Sequence, residues 1–331
     1  MKTFDELANP WVGRLGIYEP GRPIEEVARE LGFESEEAIV KLASNENALG
    51  PSPRALKALR EAAEKLHRYP DGGAFYLRQA LAAKLGVTPE EILPGNGSNE
   101  LIELLGHAFL GPQAGIVVAD RAFVVYRLVA DLFQAPTVAV PMRNFTHDLE
   151  AMRAAIRPET RLVFIANPNN PTSTLVEQDE IDRFMERVPD NVIVCFDEAY
   201  IEMVSPERQP DVLKYVREGR KVVALRTLSK AYGLAGLRIG YAVAPAPCIA
   251  LLNRVRQPFN VNTLAQAAAV AALADEPFVA QSYELNRRGL ADLCAAFDRL
   301  GLPYVPSFGN FVMVKVGRAG AVYQELLKRG V

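Results

Sequence analysis

An α/β fold is what the sequence predicts: a mainly parallel sheet sandwiched by helices, followed by a smaller α+β domain. Three observations lead there. Short apolar runs recur without polar alternation, as in strands covered on both faces. Amphipathic helical stretches separate most of them, the rhythm of strand–helix–strand crossovers. After Ala244 that rhythm gives way to long helical patterns.

The elements follow in order. "SPRALKALREAAEKLHRY" reads as a helix capped by Ser52, with Pro53 in its first turn and Leu56, Leu59, Ala63 and Leu66 on one face. "AFYLRQALAAKLG" is a second helix, ended by Gly86. "EEILPGNGSNELIELLGHAFL" reads as strand, glycine turn and helix. The strands "GIVVA", "TVAV", "RLVFIA", "NVIVCF", "KVVAL" and "RIGYAVA" follow, with "DLEAMRAAI" and "EIDRFMERV" among the helices between them. Past residue 245, "TLAQAAAVAALA" and "YELNRRGLADLCAAFDRL" are helical, and "YVPSFGNFVMVKV" precedes a final helix. The expected division is an N-terminal arm at 1–44 that joins the small domain, a large domain at 45–245 and a small domain at 246–331.

Bulk properties exclude several classes. The 331 residues carry a net charge of −3 and no lysine- or arginine-rich run, so a nucleic-acid surface is not expected. No stretch approaches the ~20 apolar residues of a membrane span, and the N-terminus lacks the apolar core of a secretory signal. Cys195, Cys248 and Cys294 are far apart in apolar contexts, as free buried thiols of a reducing cytoplasm would be. His67, His107 and His147 stand alone, without metal-ligand spacing, so no metal is expected.

In open parallel sheets, ligands bind beyond the carboxyl ends of the strands. After "EEILP", Gly97 allows close approach, and Ser98 and Asn99 sit at a helix N-terminus, where free amides favour a phosphate. After "RLVFIA", "NPNNPTS" forms a loop from which the Asn170 amide is the best candidate to face the cleft. After "NVIVCF" come two acids. Asp197 is read as a functional carboxylate, and Glu198 as a solvated strand end. After "KVVAL", "RTLSKAYGLAGLRIGY" places Lys230 among small, turn-forming residues. A surface lysine needs no such setting; an amine that must react with a carbonyl does. Thr227, Ser229 and Arg238 supply donors for a dianion. Amine, carboxylate, neutral donor and phosphate site together match the needs of pyridoxal 5'-phosphate.

"NPNNPT", "DEAY" and "TLSKAYGLAGLRIGY", in this order and spacing, resemble the fold-type I pyridoxal-phosphate aminotransferases. "IYEPGRPIEEVARELG", "KLASNENALGPSP", "RYPDGGAFYLRQALA" and "GNGSNE" point to a branch whose amino substrate carries a phosphate. The resemblance runs from about Tyr18 to Val331. It implies that Lys230 is the catalytic lysine joined to the cofactor and that Asp197 pairs with the pyridine nitrogen. Tyr200 and Asn170 would bind the ring's phenolic oxygen, and Phe123 would stack on the ring. Gly97, Ser98, Asn99, Thr227, Ser229 and Arg238 would form the phosphate cup. Tyr69 would reach the cofactor phosphate of a neighbouring subunit and Tyr18 the neighbour's substrate, which implies a homodimer. Asn47 is carried over as substrate-binding with Tyr18 and Asn170. A 2-oxo acid would be the second substrate. Aromatic aminotransferases and threonine-phosphate decarboxylases share these motifs. Ser173 stands where the family usually has glycine, and Arg121-Ala122 where it commonly has proline and a small residue. The family pattern also places two substrate-binding arginines past Val331, so the C-terminal domain reads as truncated, with a non-catalytic cofactor-binding protein as the alternative.

Overall fold

The computed structural model describes residues 2–18 and 21–331. Helices α1 (Phe4–Leu7) and α2 (Ile24–Leu31) lie in the N-terminal segment. Helix α3 (Pro53–Ala63) starts as expected, the Ser52 hydroxyl accepting the Ala55 N–H. It stops short of Leu66, which is exposed. Helix α4 (Phe75–Leu85) ends on Gly86 at φ 64°. Then β1 (Ile92–Gly95), α5 (Ser98–Phe109), β2 (Gly115–Ala119), α6 (Val125–Leu132), β3 (Thr137–Val140), α7 (Leu149–Ala154), β4 (Thr160–Ala166), α8 (Gln178–Met185), β5 (Ile193–Asp197), α9 (Leu213–Arg217), β6 (Val222–Thr227) and β7 (Gly240–Val243) alternate.

All seven strands join one sheet in the order β1-β7-β6-β5-β4-β2-β3. The five from β6 to β3 are parallel, and β7 runs antiparallel between β6 and β1. Strand β1 therefore points the same way as β6. The carboxyl ends of β1, β2, β4, β5 and β6 open on one edge. Successive side chains on each strand enter opposite layers. Val163, Ile165, Val194, Phe196 and Ala224 pack with α3, α4 and α8, whereas Leu162, Phe164, Cys195 and Leu225 pack with α5 and α6.

Helices α10 (Ala246–Val255) and α11 (Thr263–Leu273) do not leave this body. Helix α10 lies on α5 and β1, and α11 on α3 and α4. Ala265, Ala268, Ala269 and Ala272 are buried in the same core, their small side chains allowing close helix approach. The change of rhythm at 245 therefore marks a change from strands to helices within one packed unit, not the end of the core. Beyond it come α12 (Glu276–Leu300), buried only near its start at Phe278 and Ser282, the antiparallel pair β8 (Tyr304–Val305) and β9 (Met313–Val314), and α13 (Ala319–Leu327). The N-terminal segment reaches this lobe: the Val40 N–H donates to the Gly330 carbonyl at 2.7 Å. Cys195 is buried, and Cys248 and Cys294 are half-buried free thiols. No described helix is long and apolar enough to cross a membrane.

Candidate active site

The carboxyl ends of the strands surround a cavity of about 450 Å³. Tyr18, Ser98, Asn99, Phe123, Asn170, Asp197, Tyr200, Thr227, Ser229, Lys230 and Arg238 all line it. Eleven residues drawn from six stretches of chain meet there because parallel strands deliver their loops to one edge.

One end of the cavity suits an anion. Gly97 takes φ 77° before α5, and a Cβ there would collide with the Arg238 guanidinium. A Cβ at Gly240 would meet Ser98 N at 2.8 Å. Only glycines allow β7, the α5 N-terminus and Arg238 to approach this closely. The first-turn N–H groups of α5 face the same place. Thr227 and Ser229 lie 2.9 Å apart through their hydroxyls, and the Ser229 N–H donates to Thr227 Oγ1 at 3.1 Å.

The opposite end holds a buried acid. Asp197 is 5% exposed. The Tyr126 hydroxyl donates to Oδ2 at 2.7 Å, while Oδ1 is buried without a partner. Burial pushes the carboxyl up to about 6, against the downward pull of the Tyr126 hydrogen bond. A buried acid with one unanswered oxygen on a cavity wall awaits a cationic N–H donor.

Between these ends, Lys230 Nζ donates to the Ser44 carbonyl at 2.7 Å. Burial first, and then the nearby Arg238 charge, lower its amine to about 8, so a usable fraction is a free nucleophile near neutral pH. The Tyr200 oxygen accepts from Asn45 Nδ2 at 3.1 Å and from Asn170 Nδ2 at 3.3 Å. Both lone pairs are engaged, so its own proton is free to point into the cavity. Burial pushes this phenol up to about 12 and keeps it a donor. The other loop asparagines are structural: Asn167 pairs with the Val176 backbone, and Asn169 donates to the Arg121 carbonyl and to Thr172. Ser44, Asn45 and Arg238, all on the cavity wall, hold left-handed φ values, a concentration of strained residues around one cavity.

Four expectations change. Glu198 is not a solvated strand end: it is 1% exposed and pairs with Arg226 at 2.8 Å. The cation comes from the neighbouring strand, a partner invisible to a reading of β5 alone. Asn47 does not line the cavity. Its amide donates to the Ala231 carbonyl and to Ser282, binding the N-terminal segment to the Lys230 loop and α12, while Asn45 reaches the site instead. Tyr18, expected at a neighbouring subunit's substrate, lines the cavity of its own chain, whereas Tyr69 lies outside that cavity, 82% exposed and stacked on Phe259 at 4.8 Å. Ser173 retains the glycine-like conformation at φ 60° and uses its hydroxyl to bond Ser307 and the Gly309 N–H. The residue that sequence reasoning missed is Tyr126. Its signal was present in "FVVY", three residues after Phe123, whose ring it meets edge-on.

Pyridoxal 5'-phosphate fits these groups. Its pyridinium N–H matches the orphaned Asp197 Oδ1, its phosphate the glycine-cleared α5 terminus with Arg238, and its carbonyl the Lys230 amine. Fold and site together define a protein that uses an amine-capturing cofactor at the edge of a parallel sheet. Residues 37–331 match the family "Aminotransferase class I and II", and the chain belongs to it. A histidinol-phosphate aminotransferase of Akkermansia muciniphila is 52% identical over 330 residues, covering 99% of this chain and 90% of that relative. One from Moorella thermoacetica is 52% identical over 316 residues, covering 95% and 81%. Among solved structures, a histidinol-phosphate aminotransferase of Sinorhizobium meliloti in complex with pyridoxal-5'-phosphate superposes with a TM-score of 0.89 at 29% identity, covering 97% of this chain and 86% of that one.

Proposed function

We propose that this chain is a pyridoxal-phosphate-dependent transaminase that moves an amino group between histidinol phosphate and 2-oxoglutarate, giving imidazole acetol phosphate and glutamate in histidine biosynthesis. The orphaned Asp197 Oδ1, set in one cavity with Lys230 and Arg238, carries the reading. The names of relatives about 50% identical over nearly the whole chain support the substrate.

When bound, the cofactor supplies an electrophilic carbonyl that captures amines and a ring that withdraws electrons. In this reading Asp197 Oδ1 accepts the ring N–H and keeps the nitrogen protonated. Tyr200 donates its free proton to the phenolic oxygen, alongside Asn170, and Phe123 lies against the ring. The α5 amides, Ser98, Asn99, Thr227, Ser229 and Arg238 hold the phosphate. Lys230 Nζ would hold the cofactor by its carbonyl carbon, and as a free amine it would take the proton from the substrate carbon bearing the amine and deliver it to that former carbonyl carbon, as general base and then acid.

The functional unit in this reading is a cytoplasmic homodimer. Tyr69 and Phe259, with Phe75 and Tyr76 nearby in sequence, expose large aromatic surface in the single chain, the usual mark of an interface. Tyr69 would then act on the neighbouring site, while Tyr18 stays at the cavity it lines in its own chain. The domain reading that fits the packing ends the large unit near residue 275 and joins the N-terminal arm to the lobe after it.

The test is an absorbance titration. The chain is loaded with pyridoxal phosphate and given excess histidinol phosphate, then 2-oxoglutarate. The long-wavelength band of the bound cofactor should disappear with the first and return with the second. A band that ignores histidinol phosphate would remove the substrate assignment; no band would remove the cofactor assignment as well.

A further inference from the structure

Tyr126 takes no part in the chemistry just described, yet among the described residues it is the side chain that bonds Asp197's carboxylate, through Oδ2, beside the backbone N–H of Ala199. It is fully buried. Its ring stacks on Phe164 with centroids 4.6 Å apart and planes 7° from parallel, and Phe123 meets it edge-on at 5.7 Å. The backbone of α6 and the second core layer fix its position. A phenol held this firmly cannot follow a rotating carboxylate, so the carboxylate must follow the phenol. With Oδ2 pinned, Oδ1 is the oxygen left on the cavity side.

We propose that Tyr126 is a positioning residue for Asp197: its hydroxyl fixes the carboxylate's rotation and favours the charged form, so that Oδ1 is a preoriented anion for the protonated ring nitrogen of the cofactor. This inference rests on the pyridoxal-phosphate reading and adds the specific device that prepares the acid. The physical ground is that hydrogen bonds to the charged form of an acid offset the penalty of its burial. A neutral phenol does so without adding a charge that would compete with the pyridinium. An arginine or lysine in its place would neutralise the acid. The Phe123 edge contact also links the ring-stacking residue, two positions before α6, to the same support.

The other ionisable groups around Asp197 do not duplicate this role. Cys195 and Glu198 lie on its own strand segment, and Glu198 points to the opposite face and pairs with Arg226. Tyr200, from the following turn, receives the two asparagine amides. Lys230 and Arg238 stand across the cavity. Strand β4 presents Phe164 and Ala166, neither of which titrates.

The experiment compares wild type, Tyr126→Phe, Asp197→Asn and the double variant. Each is measured for the pH dependence of pyridoxal-phosphate affinity by absorbance and for the ¹⁵N chemical shift of ring-labelled cofactor. Tyr126→Phe should weaken affinity about tenfold, the scale of one hydrogen bond to a charged group. It should also move the acid limb of the affinity profile up by about one pH unit, because the carboxyl protonates more readily, and shift the ring ¹⁵N signal toward the unprotonated form. In the Asp197→Asn background the same change should alter none of these readouts. If Tyr126 serves only packing, its removal costs the same in both backgrounds and the ¹⁵N signal stays put; that result overturns the inference. The double variant leaves no charged acid unpartnered, so it reports even if Tyr126→Phe alone folds poorly. A wild-type chain that shows no cofactor binding would overturn the pyridoxal-phosphate reading itself and this inference with it. Wild-type binding with an unchanged Tyr126→Phe profile would overturn the inference alone.

Discussion

The two faces of the sheet at the end of β5 treat the same chemical group in opposite ways. On the α5–α6 face, Asp197 is hidden and half satisfied, with one oxygen bound to Tyr126 and the other unanswered. On the α3–α4 face, its neighbour Glu198 is hidden and closed into a pair with Arg226. Burial alone does not separate them, since both are nearly inaccessible. What separates them is whether the protein completes the partner set. The closed pair belongs to the architecture, and the open acid is the one proposed to meet a ligand.

Several experiments can break or sharpen that contrast. The largest effect belongs to the open side. Lys230→Ala should reduce transamination by at least about three orders of magnitude and remove the long-wavelength band, while cofactor phosphate binding persists. Retained turnover in a stopped assay would dismiss Lys230 from its role.

On the closed side the expected loss is stability. Glu198→Ala leaves Arg226 buried without its partner and should cost about 3–5 kcal/mol in urea unfolding. Replacing both, by Glu198→Leu with Arg226→Met, should recover part of it, because the pair goes together while the nearby Glu202 loses the Arg226 charge. If the single variant is as stable as wild type, the pair is not the structural element described.

Asp197→Asn should show the opposite pattern to Glu198→Ala. In the cofactor-free chain the Asp197 carboxyl is raised from its ordinary 3.8 to about 6. The folded state therefore holds a proton that the unfolded state releases, and stability falls as pH rises from about 4 to 6. The asparagine variant should lack that slope and exceed wild type by about 2 kcal/mol above pH 7, with no gain below pH 4. Its transamination rate should nevertheless fall. Chemical denaturation at three pH values, without cofactor, would expose an equal slope in both proteins.

The smallest effect concerns the latch between the loop after β4 and the β8–β9 lobe. Ser173→Ala keeps the strained φ and loses two hydrogen bonds, a cost of about 1–2 kcal/mol. Ser173→Gly loses the same bonds but relieves the strain, and should cost less. The order of the two unfolding midpoints decides it.

One side of this contrast is legible in the sequence, the other is not. All seven sheet strands coincide with apolar runs, and the Lys230, Asp197 and Asn170 loops were recognisable from their strand ends. Local signals sufficed because strand periodicity, glycine turns and helix caps act over a few residues. Glu198 was misjudged for the opposite reason. Its partner Arg226 is 28 residues away in sequence and adjacent only through the β5–β6 register. Asn45 and Asn47 differ by two positions, and which one reaches Tyr200 depends on left-handed backbone at Ser44 and Asn45 that nothing in "SNEN" announces.

By itself, then, the sequence determined the alternation of strands and helices, the edge on which the chemistry sits and the identity of the reactive amine. Each, the lysine at the end of β6 proposed as that amine included, follows from short-range patterns read against the rule that parallel strands open their carboxyl ends to ligands. Only the tertiary structure decided which buried acid is closed and which is open, that Tyr126 supports Asp197, and that α11 belongs to the main core. Those outcomes depend on contacts between residues far apart in the chain, where register and packing choose the partner.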